Sequence, residues 1–391
     1  MPTLEIPAAP RAPLYPVRSR AVFRQPVTFA TAPASAPDLS LQARFVGCLL
    51  GGMAGDTLGA SVEGWTATRI NTTLDYLAQL PPHSLYRGLC DGALGALGGR
   101  LAPGRAPYTD DTEMTIGVAE ALLQSRRGED INVPLEQLIA GRLATNFDGR
   151  RNYGTGVYGV LARLRRVTST EEAIARAQQA GDGGAGNSGA ARVAPIALLY
   201  HDADKETLAQ KAAGCAAVTH AHPVGQAGAV LQAFAIAQAL RHEPGRPLDA
   251  LEFLQRLCAD FECWGGGGVA AFRAPLARVV EVLARPVTSY RDVSALLGAN
   301  AEGTSADAVC SVPAALYAFL RHPESLADAV TFAIRLGGDT DTVAAMAGAL
   351  GGALGGQNSL PTGWLLLLED GERGQEYVRQ LADALHRAWQ G

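Results

Sequence analysis

Two short segments rich in carboxylates and hydroxyls, residues 109–112 and 337–342, have the side chains needed to bind a metal. Adjacent carboxylates repel each other, so two such groups brought side by side would need protons or cations to neutralise them. Hard divalent cations bind carboxylate oxygens, and threonine hydroxyls and water can complete octahedral coordination. The sequence has no histidine- or cysteine-rich spacing that suggests zinc. It therefore predicts a Mg²⁺ site, with two ions expected and Mn²⁺ as the alternative metal.

Apolar residues follow each acidic segment at helical spacing, which predicts that each segment opens a helix. One carboxylate at a helix start is ordinary, because the helix N-terminus favours negative charge by roughly 0.3–1 kcal/mol. Either segment alone would therefore be interpreted as a helix cap or a surface turn. Two of them together favour a metal site. The apolar positions are Met114, Val118, Ala121 and Leu122 after the first segment, and Val343, Met346, Ala347, Leu350 and Leu354 after the second.

Helical periodicity also dominates the rest of the chain, and the alternating pattern of strands is nearly absent. Between Ala43 and Ala60 a glycine recurs every four residues, which forms a stripe where another backbone can approach closely. Asp56 interrupts the apolar run, which is too short to span a bilayer, so a buried helix in a soluble bundle is expected. Further helices are predicted over residues 134–146, 157–166, 171–180, 191–200, 205–219 and 225–240, with more after Leu248.

Composition limits the possible functions. The 391 residues are 48% apolar and 18% charged, which is enough for a large core in one or two domains. A net charge of −5 and a pI near 5.8 give no broad basic face, so no nucleic-acid partner is expected. The six cysteines are scattered without a CxxC pair, which favours reduced structural thiols. A monomer without a membrane-spanning segment is expected.

Residues 1–40 are rich in proline, alanine and serine, and they are predicted to form a flexible arm before a domain at residues 41–391. Prolines interrupt any apolar signal-peptide core, so a cytoplasmic location is the expectation. The arm either has no function beyond solubility or acts as an export signal, as in a bacterial effector.

The loop at residues 181–188 consists mostly of small residues, and a helical pattern follows it from Ala190. Backbone N–H groups of such a loop can bind a diphosphate, particularly at the start of a helix. A second glycine run, residues 265–268, has no polar residues beside it and is interpreted as a connection.

Four segments, residues 51–56, 108–112, 186–189 and 336–342, resemble the motifs of ADP-ribosylglycohydrolases in sequence, order and spacing. This family includes proteins of the dinitrogenase reductase-activating glycohydrolase and ADP-ribosylhydrolase types. The resemblance extends from about Ala43 to about Ala388. It implies an all-α fold, a single compact multi-helix domain with a binuclear Mg²⁺ centre in a cleft. It also implies cleavage of the bond between the distal ribose C1″ and an acceptor.

Residues 153–154, 218–220, 311–313 and 317–321 are most similar to the branch that removes ADP-ribose from serine. The resemblance thus implies a Mg²⁺-dependent hydrolase that releases ADP-ribose from O-linked, serine- or threonine-type ADP-ribosylated proteins. The alternatives are hydrolysis of arginine-linked ADP-ribose, poly(ADP-ribose) or O-acetyl-ADP-ribose, and a catalytically silent ADP-ribose-binding protein.

The resemblance also assigns roles to individual residues. Glu63 corresponds to a mobile glutamate over the metals and is the leading acid/base or gate candidate, with Asp110 and Asp111 as the other catalytic candidates. Asp341 would bridge the two ions, and Asp56 would orient a neighbouring group. The implied metal ligands are Glu63, Thr109, Asp110, Asp111, Asp339, Asp341 and Thr342.

The implied substrate-binding residues form the small-residue loop and one histidine: Gly183, Gly184, Ala185, Gly186, Asn187, Ser188 and His220. The sequence departs from the serine branch at residues 184–185, where relatives carry a polar residue and then an aromatic one that can stack on adenine. It also departs at residues 298–307, which are small and glycine-rich. How adenine is recognised is therefore left open, and the acceptor need not be serine.

Overall fold

The computed structural model describes residues 38–77, 105–128, 132–166, 184–287, 289–300 and 302–391. Regular structure in these ranges is helical, and extended segments pair only at isolated bridges. The predicted all-α class is confirmed. The α-helices are α1 (Leu41–Gly59), α2 (Ala67–Leu77), α3 (Asp110–Arg126), α4 (Leu135–Asn146), α5 (Thr155–Leu164), α6 (Ser188–Ala191), α7 (Ala194–Leu199), α8 (Lys205–Ala217), α9 (Pro223–Arg241), α10 (Ala250–Trp264), α11 (Val269–Leu283), α12 (Tyr290–Leu296), α13 (Ala308–Arg321), α14 (Leu326–Arg335), α15 (Thr340–Gly355), α16 (Thr362–Leu365) and α17 (Gln375–Gln390).

The periodicity predicted most helix positions correctly. The helices expected at residues 134–146, 157–166, 205–219 and 225–240 are α4, α5, α8 and α9, each shifted by at most two residues at either end. The helix expected at residues 191–200 is instead divided into α6 and α7. Pro195 explains this break, because it has no N–H to continue a helix but fits the first turn of a new one. The helix expected at residues 171–180 lies outside the described ranges.

Helices α1 and α15 pack against each other more closely than side chains would allow, as the glycine stripe predicted. A Cβ added at Gly55 would lie 2.0 Å from the carbonyl oxygen of Ala344, and one added at Gly51 would lie 2.3 Å from that of Gly348. The residue numbers of the contacted positions fall along α15 as the glycine numbers rise along α1, so the two helices are antiparallel. The contacts pair Gly47 with Gly352, Gly51 with Gly348, Gly55 with Ala344 and Gly59 with Thr340.

Helix α1 also corrects one expectation from the sequence. The segment Leu41–Val62 is long and apolar enough to count as a candidate membrane span, with a mean hydropathy of 1.3. The expectation that no membrane-spanning candidate is present was wrong, because the apolar segment continues past Asp56. The fold buries 94% of the apolar window, so this segment is a core helix of the described structure.

Buried apolar side chains from helices throughout the described chain, including Phe45 in α1, Phe234 in α9, Met346 in α15 and Leu385 in α17, join in one contiguous core. Five of the cysteines, Cys48, Cys215, Cys258, Cys263 and Cys310, are free thiols, as expected. Cys90 lies outside the described residues.

Candidate metal centre

The antiparallel pairing of α1 and α15 brings the end of α1 to the start of α15. The hydroxyl of Thr340 donates a hydrogen bond to the carbonyl of Gly59 at 2.8 Å, which joins the two helix ends directly. Beyond α1, Gly64 donates to the carbonyl of Gly338, and Gly338 donates to that of Trp65. These contacts hold the segment that carries Glu63 against the acidic segment before α15.

The turn into α15 can form only with glycine at two successive positions. Gly337 and Gly338 both have a φ of +77°, a left-handed conformation that L side chains rarely adopt. A Cβ at Gly338 would also lie 1.9 Å from the carbonyl oxygen of Thr304. Because the turn is this tight, Asp339 stands at the N-cap of α15 and Asp341 lies in its first turn.

Three carboxylates meet at this junction. Oxygens of Glu63, Asp339 and Asp341 all lie within 4.8 Å of one another, a spacing that one metal ion could bridge. Asp341 is buried, and its Oδ1 accepts a hydrogen bond from the N–H of Thr342 at 2.8 Å. Asp339 accepts a hydrogen bond from the side-chain amide of Asn187 at 2.6 Å, which connects the predicted substrate loop to the acidic cluster.

The first acidic segment, residues 109–112, is held in place by Asp56 of α1. Its carboxylate accepts hydrogen bonds from the N–H and the hydroxyl of both Thr109 and Thr112, with a distance of 2.6 Å to Thr109 Oγ1. Asp56 thereby caps α3, whose N-cap residue, Thr109, makes no capping contact of its own. These contacts agree with the expectation that Asp56 orients its neighbours. The Thr109 hydroxyl donates to Asp56 and keeps its lone pairs for a cation.

Asp110 and Asp111 are buried in the first turn of α3. Burial raises the pKa of each carboxyl well above its usual value, and the charges of Asp111 and Asp56, respectively, raise it further. The hydroxyl of Thr342 acts in the opposite direction on Asp111. Burial, followed by the charge of Glu63, likewise raises the pKa of Asp341. The two acidic segments are therefore close enough to influence each other electrostatically.

The residues present fit a metal. Atom Oδ2 of Asp111 is buried and has no hydrogen-bond partner in the described structure. An unsatisfied buried carboxylate oxygen is costly unless a proton or a cation compensates it. The surrounding candidates offer only oxygen ligands, which suits hard divalent cations.

Glu63 is exposed, whereas Asp339 is half-buried and Asp341 is buried, but the Glu63 carboxylate faces the cluster. Partial loss of water and the nearby charge of Asp339 raise its pKa to about 7. The side-chain amide of Asn152 donates a hydrogen bond to Glu63 Oε2. Asn152 is a residue that sequence reasoning missed. It has a φ of +65°, and the only available signal was that asparagine tolerates this conformation better than most residues.

The loop around Asn152 is fixed to α3 by hydrogen bonds and to the segment after α16 by an ion pair. Glu113 accepts hydrogen bonds from the hydroxyl of Tyr153 and from the N–H of Asp148. Arg151 forms an ion pair with Glu369, and its guanidinium carbon lies 3.8 Å from the centroid of the Tyr108 ring. The N–H of Asp110 donates to the carbonyl of Arg151 at 2.8 Å, so the loop and the acidic segment have a fixed relation.

The predicted substrate loop lies beside this centre but differs from expectation in its backbone hydrogen bonds. The N–H of Asn187 donates to the carbonyl of Ala306, and the carbonyl of Ala185 accepts from Ala308. The loop is paired with residues 306–308, so the Asn187 N–H is not free for a diphosphate. Ser188 opens α6, which is only four residues long. Gly183 lies outside the described residues.

His220 packs directly against this loop. A Cβ added at Gly184 would lie 3.0 Å from the Cα of His220, and one added at Gly186 would lie 3.3 Å from its Nε2. The structure thus brings His220 to residues 184–187 and, through Asn187, to the acidic cluster.

The described structure is thus a helical domain with an acidic cluster that could hold a divalent cation. A family profile described as ADP-ribosylglycohydrolase matches residues 37–391, and the chain belongs to this family. It is 31% identical over 369 residues to ADP-ribosylhydrolase ARH3 of Gallus gallus, and the match covers 89% of this chain and 94% of that relative. It is 32% identical over 373 residues to ADP-ribosylhydrolase ARH3 of Homo sapiens, with coverage of 89% and 94%.

Among solved structures, a chain from an "ADP-ribosylglycohydrolase-related protein complex" is similar to this protein, with a TM-score of 0.59 and 29% identity. The match covers 89% of this chain and 98% of that chain. The family that the sequence motifs predicted is therefore confirmed, and so is the prediction of a hydrolase.

Proposed function

We propose that this hydrolase removes ADP-ribose from O-linked, serine- or threonine-type ADP-ribosylated proteins, and that it requires Mg²⁺. The observation that carries the proposal is the meeting of carboxylates from two separate helix starts beside Glu63 and the substrate loop. The relatives named ADP-ribosylhydrolase support ADP-ribose as the group released. The motifs shared with the serine branch support an oxygen-linked acceptor.

Two Mg²⁺ ions are proposed, with ligands drawn from Glu63, Thr109, Asp110, Asp111, Asp339, Asp341 and Thr342. A bound divalent cation would supply Lewis acidity, orient the distal ribose and stabilise charge at the glycosidic bond. The protein's contribution is to hold these oxygens in place: Asp56 fixes the first turn of α3, and Gly337 and Gly338 fix that of α15.

Glu63 is proposed to move the proton between water and the leaving oxygen. A general acid or base works best when its pKa lies near the working pH, and in the metal-free protein burial and the charge of Asp339 raise the pKa of Glu63 to about 7. Its exposed position at the edge of the buried cluster leaves room for an acceptor side chain to approach. Asn152 holds the carboxylate toward the site by donating to Oε2.

The test is release of ADP-ribose from matched peptides that carry it on serine, threonine or arginine, with Mg²⁺ and with EDTA. Release from the serine or threonine peptide that EDTA abolishes is the expected result. Selective release from the arginine peptide would replace the proposed linkage. Binding of ADP-ribose without release from any peptide, poly(ADP-ribose) or O-acetyl-ADP-ribose would favour a silent binding protein.

A further inference from the structure

Arg192, between α6 and α7, is completely buried. Its Nη2 donates to the carbonyl of Cys215 at 2.8 Å and lies 3.4 Å from that of Ala216, both near the end of α8. The negative end of a helix dipole stabilises a cation at such a position. No carboxylate pairs with Arg192 in the part of the chain that the structure describes. These contacts explain how the charge is accommodated, but they do not use all of its donors.

A further contact connects Arg192 to His220. Arg192 Nη2 donates to Thr219 Oγ1 at 2.8 Å, and Thr219 Oγ1 lies 2.7 Å from His220 Nδ1. A guanidinium has only donors, so the Thr219 oxygen accepts from it, while its single hydroxyl proton remains available for Nδ1. When Thr219 donates that proton to Nδ1, the ring proton of the neutral imidazole stands on Nε2. Burial, together with the charge of Arg192, lowers the pKa of His220 to about 3, which keeps the ring neutral.

The Nε2 atom is on the side of the ring that faces the substrate loop. It lies 3.3 Å from the position of a Cβ at Gly186, and no described residue forms a hydrogen bond with it. Asn187, the residue after Gly186, donates a hydrogen bond from its side-chain amide to Asp339 of the acidic cluster. This nitrogen is not one of the buried, unsatisfied polar atoms of the described residues, so it is open to an oxygen of a bound ligand.

We propose that Arg192 and Thr219 are positioning residues that fix His220 as the Nε2–H tautomer, so that it donates a hydrogen bond to an oxygen of bound ADP-ribose. The inference rests on the proposed function for the identity of the ligand. It extends that function by assigning a role to a buried cation that lies outside the acidic cluster.

The ring tautomer can be measured without ligand or activity. Long-range ¹H–¹⁵N spectra of the ¹⁵N-histidine-labelled full chain distinguish Nε2–H from Nδ1–H, and His220→Gln identifies the signals of His220. The wild type and Thr219→Ser are expected to show Nε2–H, because both have a hydroxyl. Thr219→Val keeps the side-chain shape and is expected to show an increased Nδ1–H population. Its affinity for ADP-ribose, measured by calorimetry, should fall about tenfold, the equivalent of one hydrogen bond.

Arg192→Met is compared with Arg44→Met, which provides a matched control. Arg44 is also buried and donates to helix-terminal carbonyls, including Ala353 at 2.7 Å, and its one hydrogen bond to a histidine goes to the backbone carbonyl of His242, not to an imidazole ring. Both substitutions should lower stability, whereas only Arg192→Met should change the His220 tautomer and weaken ADP-ribose binding. If Arg192→Met does not fold, the Thr219 pair still decides the question.

Two results would overturn the inference while the proposed function stands. One is an unchanged Nε2–H tautomer in Thr219→Val, and the other is a changed tautomer with unchanged affinity for ADP-ribose. A wild-type chain that neither binds nor releases ADP-ribose would instead overturn the proposed function and the assignment of the ligand, and the tautomer measurement would still decide the roles of Arg192 and Thr219.

Discussion

The glycine contact between α1 and α15 predicts opposite effects for the same substitution at two positions in one helix. In Gly55→Ala the new Cβ would lie 2.0 Å from the carbonyl oxygen of Ala344, whereas real Cβ atoms keep at least 3.0 Å from such neighbours. In Gly52→Ala it would lie 3.6 Å from the nearest atom, which is an ordinary contact. The helices would therefore have to separate by about 1 Å in the first variant only.

The size of each effect follows from two opposing terms. Replacing glycine by alanine inside a helix stabilises it by about 0.5–1 kcal/mol. Crowding in a close-packed interior costs roughly 1–3 kcal/mol, and the upper end applies at Gly55 because the obstacle is backbone. Gly55→Ala should therefore lower the free energy of unfolding by about 2 kcal/mol, while Gly52→Ala should raise it by up to about 1 kcal/mol.

Urea unfolding of the wild type and both variants measures these changes, and Mg²⁺ titration calorimetry measures their effect on the site. Gly55→Ala should also weaken Mg²⁺ binding, because separation of α1 from α15 moves Glu63 away from Asp341. A Gly55→Ala protein as stable as Gly52→Ala would refute the packing argument. Loss of stability with unchanged Mg²⁺ affinity would show that the helix contact does not position the ligands.

Other predictions concern single side chains of the centre. Asp341→Ala should abolish Mg²⁺ binding and turnover with little change in the circular dichroism spectrum, and turnover close to that of the wild type would refute the metal assignment. Glu63→Gln should keep affinity for ADP-ribose while kcat falls about 100-fold or more, as expected for a lost proton-transfer group, so an unchanged kcat would remove Glu63 from the mechanism. Asn152→Gly keeps the left-handed backbone without strain but removes the amide that binds Glu63, so kcat should fall about tenfold with stability changed by less than about 1 kcal/mol. Asn152→Asp places a second negative charge beside Glu63, so its kcat should be lower still. Equal kcat values for the wild type and both variants would argue against this contact. Folding raises the pKa of Glu63 from 4.5 to about 7, so between these values the folded protein holds a proton that the unfolded chain has lost. The metal-free protein should therefore lose stability as pH rises from about 4.5 to about 7. A melting temperature in EDTA that stays constant or increases over this range would contradict the direction of the shift.

The elements of the fold that have a periodic residue pattern were predictable from the sequence. Apolar periodicity located α4 and α9 because a helix that packs on a core must place apolar residues on one face. The four-residue glycine spacing predicted a close helix contact because it places residues without side chains on one face of α1. It did not identify α15 as the partner, since which two faces meet depends on residues some 300 positions apart. The clustering of acids at helix starts also predicted ligands, but not that Asn187 would contact Asp339.

Features set by a single residue in its surroundings were not predictable. Asn152 adopts a positive φ because the loop around Arg151 and Tyr153 is tied to α3, and this constraint is tertiary. Arg192 follows a predicted binding loop, and nothing in its sequence position indicates that the end of α8 buries it. The pairing of residues 184–187 with residues 306–308 likewise uses backbone groups, which every sequence provides.

The placement of the carboxylates at two helix starts explains why protons or a cation must neutralise them. A helix N-terminus stabilises a negative charge by roughly 0.3–1 kcal/mol. A pKa raised by even one unit corresponds to about 1.4 kcal/mol against ionisation, and Asp110, Asp111 and Asp341 are all raised well above their usual values. The helix dipoles therefore offset only part of the cost of burying these charges together. The fold keeps them adjacent through the α1–α15 contact and the hydrogen bonds of Asp56, and a divalent cation is the neutralising partner that leaves all of them ionised at neutral pH.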